Sequence, residues 1–409
     1  MEKQLLDVCE KGDIVELQQL LNNPNINLNY QDQENHSRTP FCIACLKGHI
    51  EIVKLLLNDQ RVDINQIANY NWTPLYIACE KGHIEIVKLL LSDKRIDINK
   101  ANQYSRTPLY LACGSGQIEI VKLFLNDKRI DINRTTGNDW TPLYIACSEG
   151  QIEIVKLLLN DKRIDINQTN KHRQTPFLMA CKHGHIKIVE LLLNDKRVEI
   201  NKTIEYGWTP LHIVCQKGHI EIVKLLLNDQ RVDINKLDNC GQTPFSMACS
   251  NGHIEIVKLL INNQRVDINK RVNGGETPFW IVCQKGHIEI VKLLLNDKRV
   301  DINKANYYSQ TPFYVACFYE HIEVVKYILA SGREIDINKR DHEGKTALNC
   351  VRERGKEDIV ELIESFERNP DETRNKLRIQ LGLTGNISFH FFSLFSFYIY
   401  VYYHYISRC

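Results

Sequence analysis

Apolar residues along this chain fall into two blocks that recur together. A short block opened by Thr-Pro, such as Thr73-Pro74-Leu75-Tyr76-Ile77-Ala78-Cys79, runs to a glycine, Gly82. A denser block follows, Ile84-Glu85-Ile86-Val87-Lys88-Leu89-Leu90-Leu91, and then a mostly polar stretch up to the next Thr-Pro. Thr39, Thr73, Thr107, Thr141, Thr175, Thr209, Thr243, Thr277 and Thr311 open nine such cycles, each 34 residues after the last, and Thr346-Ala347 opens another after 35. A fixed period of 20–50 residues is the mark of a solenoid or an array, in which no single unit has a core of its own.

Each cycle predicts two helices. Thr73 suits an N-cap, and Pro74 takes the first helical position, where a missing N–H costs nothing. Gly82 can adopt the left-handed conformation that ends a helix. Ile84 to Leu91 is apolar on most of its surface and so is expected to be buried against neighbours. Lys94 and Arg95 stand beyond it, where cations suit the macrodipole, and Asp97-Ile98-Asn99 reads as a short extended segment. At the ends, Glu16 and Gln19, then Glu357 and Glu364, replace framework Ile and Leu, as terminal repeats with a solvated outer face require.

Eleven units result: an N-terminal capping unit (1–34), nine repeats over 35–341 starting near 35, 69, 103, 137, 171, 205, 239, 273 and 307, and a C-terminal capping repeat (342–368). Residues 369–385 read as a docking helix, with Leu377, Ile379 and Leu381 turned to the last repeat. Residues 386–409 form an aromatic, apolar tail.

The stretch Thr73 to Leu91 closely resembles the ankyrin repeat, whose signature is T-P-L-H-x-A, and the resemblance covers about residues 1–366. Two departures stand out. The His of the signature survives only as His212, Tyr76, Tyr110, Tyr144, Trp280 and Tyr314 taking that place elsewhere. The usual Gly after the second helix gives way to a longer N-D-K-R segment. The resemblance implies an all-α repeat solenoid of stacked helix-turn-helix units with short β-hairpin-like loops. It also implies a cytoplasmic, monomeric, non-catalytic scaffold that binds one or more proteins on its concave face, with no cofactor.

Composition and candidate chemistry change this picture little. Lys plus Arg (52) nearly balances Asp plus Glu (50), so bulk charge does not point to nucleic acid. The N-terminus carries an acid within three residues and no apolar run, so no secretory leader is expected. Ten of the fourteen cysteines, Cys9 and then Cys45 to Cys317 at the repeat period, share one slot. Stacked helices lie about 8–10 Å apart, beyond the ~7 Å Cα separation a disulfide tolerates. These cysteines are expected to be small buried thiols in a reducing compartment. Gly-His-Ile recurs in six repeats, followed by Glu in five of them, and a scaffold element recurs where a catalytic site does not. Cys42, Cys45 and His49 have the spacing of half a zinc site but lack a second half.

Recognition is expected in the columns that vary between repeats: four, three and one before each Thr, and seven and eight after it. There stand Tyr70, Tyr104, Tyr206, Tyr307 and Tyr308, Trp72, Trp140 and Trp208, Arg106, and Phe318 with Tyr319. Tyr and Trp are enriched in binding hot spots, and the alternative is that they pack on their own hairpins. The repeat at Thr311 departs furthest, with Glu320 where nearly every other repeat has Gly. In the tail, Ile387 to Ile406 hold thirteen Phe, Tyr or Ile in twenty residues, but also five Tyr, three Ser and two His. That mix suits an unstructured or read-through segment better than a bilayer span. Two further readings are a tail-anchored adaptor, with membrane contact only if 387–406 is a genuine anchor, and the regulatory part of a longer enzyme.

Overall fold

A computed structural model of the chain describes residues 1–34 and 36–383. Among them run 23 α-helices, one short 3-10 turn (Asn69–Asn71) and a lone β-bridge between Asp32 and Arg38. The expectation for the aromatic tail lies outside the described residues.

The local chemistry that builds each helix pair is the one the repeat predicts. In Pro74–Lys81, Thr73 caps the start by accepting from the backbone N–H of Tyr76 at 3.1 Å, and Gly82 ends it at φ 72°. The second helix, Ile84–Ser92, buries Ile86, Val87 and Leu90 and leaves Ile84 exposed, so its apolar contact is a stripe and not most of its surface as expected. The array divides into two compact blocks, Met1–Val214 with Asn228–Val232, and Cys215–Leu227 with the chain from Asp233 onward. Within each block first helices pack on the first helices of neighbouring repeats, and second helices on second helices. All ten framework cysteines are buried and unpaired, and burial pushes their thiols up, Cys9 to about 12.

Three side-chain ladders tie one repeat to the next. Arg95 is held by Asp93 at 2.7 Å and donates to the Leu57 carbonyl at 2.6 Å. Arg129, Arg163 and Arg197 do the same to Leu91, Leu125 and Leu159. Each of these arginines therefore caps the second helix of the preceding repeat, where its own helix was expected. These carbonyls are orphans of a helix end, so a cation placed there satisfies both hydrogen bonding and the dipole. The hydrogen bonds from Arg95 hold the Asp93 carboxyl below the usual range.

The segment Asp97-Ile98-Asn99 runs into a turn at Ile98 and Asn99, where a short extended segment was expected. Asn99 donates to the Arg129 carbonyl at 2.9 Å and accepts from the Asp131 amide at 2.9 Å. The third ladder is His: His83 donates to the Leu46 carbonyl at 3.1 Å, and His185, His253 and His287 repeat the contact. The recurring Gly-His is thus a joint of the scaffold.

Glu320 occupies the left-handed slot at φ 63° without being glycine. In the next repeat Lys356 stands where others carry His, and its ammonium meets the Glu320 carboxylate at 2.7 Å, with Arg354 at 3.3 Å. A charge pair here replaces the glycine–histidine joint. Helix Pro370–Gln380 packs on Ile322–Ala330 and on Glu357–Arg368, burying Thr373 and Leu377, while Ile379 stays exposed.

Candidate functional site

The loop before each Thr is a tight turn with a fixed backbone. Its residue two before Thr is left-handed, as at Ser105 (φ 59°), Asp139 (60°) and Ser309 (60°). Asn102 closes one tip by accepting from the amides of Tyr104 and Arg106 at 2.9 and 3.0 Å, and Asn170, Asp238, Asn306 and Asp341 close others in the same way. Adjacent tips are joined by backbone bonds: Gln103 N–H to the Tyr70 carbonyl at 2.9 Å, Gly137 to Tyr104 at 3.3 Å, Tyr307 to Gly274 at 3.1 Å and His342 to Tyr308 at 3.0 Å. Rigid tips at regular spacing result, with the side chain three before Thr left out of the packing.

The expected aromatics separate into two kinds on this frame. Tyr70, Tyr104, Tyr206, Tyr307, Tyr308 and Tyr319 are exposed, Tyr206 by 65 % and Tyr307 by 68 %. Trp72, Trp140 and Trp208 are half-buried. Trp140 stacks on Tyr144 at 5.6 Å, and with Trp208 it covers a cluster of Leu178, Met179 and Ile213. Trp72 covers Cys42, Ala68 and Ile77. The tryptophans form a floor; the tyrosines stand above it.

Arg106 is exposed, its guanidinium 5.6 Å from the Tyr104 ring and 5.9 Å from that of Tyr110. In the C-terminal block Arg271 lies 5.0 Å over Tyr307, His342 5.2 Å from Tyr308, and Arg354 4.4 Å over the half-buried Phe318, beside exposed Tyr319. Tyr70, Trp72, Tyr104, Arg106, Trp140, Tyr206 and Trp208 thus belong to one block, and Tyr307, Tyr308, Phe318 and Tyr319 to the other.

Sequence reasoning missed the phenols. His212 bonds its own Thr209 at 2.8 Å, and Tyr144 and Tyr314 reach the next tip, at Gln174 Oε1 (3.0 Å) and Asp341 Oδ2 (2.9 Å). Each phenol thus ties a first helix to the tip of the next repeat, and burial pushes the Tyr144 phenol up to about 12. The Asn, Asp or Thr five before Thr in six of the ten repeats was the available signal. Arg271, over Tyr307, was missed too.

The surface offers stacking, cation–π contacts and tip amides. Among the described residues no three His, Cys, Asp or Glu side chains are placed to hold a metal ion, and no helix is long and apolar enough to cross a membrane. A family model described as ankyrin repeats (three copies) matches the chain over residues 5–102, 96–170, 162–238, 230–306, 264–341 and 298–374. A comparison with curated proteins returned no match.

Proposed function

This chain belongs to the ankyrin-repeat family, and from that premise we propose that it is a non-catalytic scaffold binding a partner protein across its loop tips and first helices. The observation that carries the reading is the row of exposed tyrosines on a hydrogen-bonded ladder of tips. Rigid, amphipathic aromatics lose little conformational entropy on binding, and pre-organised backbone lowers the cost further. The column of buried, free thiols favours a reducing compartment, the cytoplasm.

The tyrosines, and not the tryptophans, are the clean test. Trimming Trp140 or Trp208 also uncovers the cluster beneath them, which mixes stability with binding. Replacing Tyr70, Tyr104 and Tyr206 together by Ala is expected to weaken a partner isolated by cross-linking by about 2 kcal/mol or more, some thirtyfold. Changing the exposed second-helix residues Lys54, Lys88 and Lys156 to Gln is expected to leave the affinity within about twofold. Calorimetric titration reads both. Binding lost with the lysine set and kept with the tyrosine set contradicts the assignment.

A further inference from the structure

Charge is not spread evenly over the tips of the N-terminal block. The tip segments 99–106, 133–140 and 167–174 carry five cations, Lys100, Arg106, Arg134, Lys171 and Arg173, against one acid, Asp139. All five cations are exposed, and none forms an ion pair among the described residues. By contrast, Arg95, Arg129 and Arg163 are each held by an Asp two residues back, and Lys54, Lys122 and Lys156 each by a Glu three residues back. In a chain with a net charge of only +2, these adjacent tips set five unpaired cations against one acid.

The same surface has a recess. Between the tips of the repeats at Thr107 and Thr141 lies an open hollow of about 250 Å³, lined by Tyr104, Arg106, Thr136 and Trp140 among others. Its cation is Arg106. The guanidinium lies within cation–π distance of two tyrosine rings, which restrict its motion and leave its N–H groups without a carboxylate. An arginine fixed between aromatic rings presents a planar donor fork that matches a carboxylate.

We propose that these three tips bind an extended acidic segment of the partner, with a Glu or Asp side chain seated in the recess on Arg106. The proposal rests on the scaffold reading above and adds the chemistry of what is bound. A peptide fits better than nucleic acid. Asp139 interrupts the cations, and a phosphate backbone asks for an uninterrupted basic track.

The test uses the full chain and a fluorescein-labelled peptide of alternating Glu and Gly, followed by anisotropy at low salt. Its Gln-for-Glu counterpart and an oligodeoxythymidylate are the comparisons. Saturable binding of the Glu peptide is expected, with the Gln peptide much weaker and Arg106→Gln lowering affinity about tenfold. Arg106→Lys should recover part of the loss, because it restores charge without the fork. Lys156→Gln, on a second helix, should leave it unchanged. Because Arg106 is exposed at a tip, circular dichroism of its variants should match the parent chain. The proposal is overturned if the Glu peptide does not bind, if Arg106→Gln binds it as well as the parent, or if the oligonucleotide binds more tightly through the same residues. Any of these outcomes, with the tyrosine variants still losing the cross-linked partner, leaves the scaffold reading standing and removes only the acidic segment.

Discussion

Phe124→Ala is expected to lower the unfolding free energy by about 3–5 kcal/mol, the cost of trimming a fully buried aromatic. Phe124 lies in the second helix Ile118–Asn126, where neighbouring repeats carry Leu90 and Leu158, and it has no exposed surface. That helix packs on the second helices of both neighbouring repeats as well as on its own first helix. Close-packed interiors collapse only partly around a missing ring. Repeats are stabilised mainly through nearest neighbours, so the loss should weaken coupling on both sides and broaden the transition. Phe124→Leu, which restores the residue of the neighbouring repeats, should cost much less. Urea unfolding followed by far-ultraviolet circular dichroism checks the pair. A loss below about 1 kcal/mol for the alanine variant contradicts the packing described.

Gly286→Ala should destabilise by about 2–3 kcal/mol and Gly355→Ala by about 1–2 kcal/mol, although both glycines are left-handed. Their φ values, 71° and 65°, make the backbone cost similar. Their surroundings differ. A Cβ on Gly286 would lie 2.6 Å from His321 Nδ1 and 3.0 Å from its Cγ, while one on Gly355 would meet nothing within 4 Å. His321 is held in place by its bond to the Gln284 carbonyl at 2.8 Å, so yielding to a methyl group breaks one rung of the histidine ladder. Equal losses for the two variants would show that the rung adds nothing to stability.

Much of the fold can be read from the chain because its causes are local. Thr73, Pro74 and Gly82 set the ends of a helix through groups within a few residues, and the fixed period shows that such pairs stack. The ladders were hidden because each partner lies 30–38 residues away. Arg95 sits beside its own second helix in the sequence, but the carbonyl it caps belongs to Leu57. The N-D-K-R segment was visible as a departure from the family, and its role needed the next repeat to be in place.

The same reason limited the site. Whether an aromatic at a tip projects or packs depends on what the neighbouring repeat puts beneath it. Leu178, Met179 and Ile213 hold Trp140 and Trp208 half-buried, while nothing comparable covers Tyr104 or Tyr206. At Glu320 the break in the glycine pattern could be seen, and so could Lys356 in place of His. That the two residues compensate each other follows only from their 2.7 Å contact.

Hydroxyl-radical footprinting of the chain alone and bound to its partner tests the scaffold reading most directly, because it reports which side chains the partner covers. Tyrosine and tryptophan are among the more reactive side chains, and the exposed tips are rich in them. The account predicts protection of Tyr70, Tyr104 and Tyr206 on binding, with Ile84 and Lys88 on the second helix as reactive as before. Protection of the second helices, with the three tyrosines as reactive in the complex as in the free chain, would contradict it.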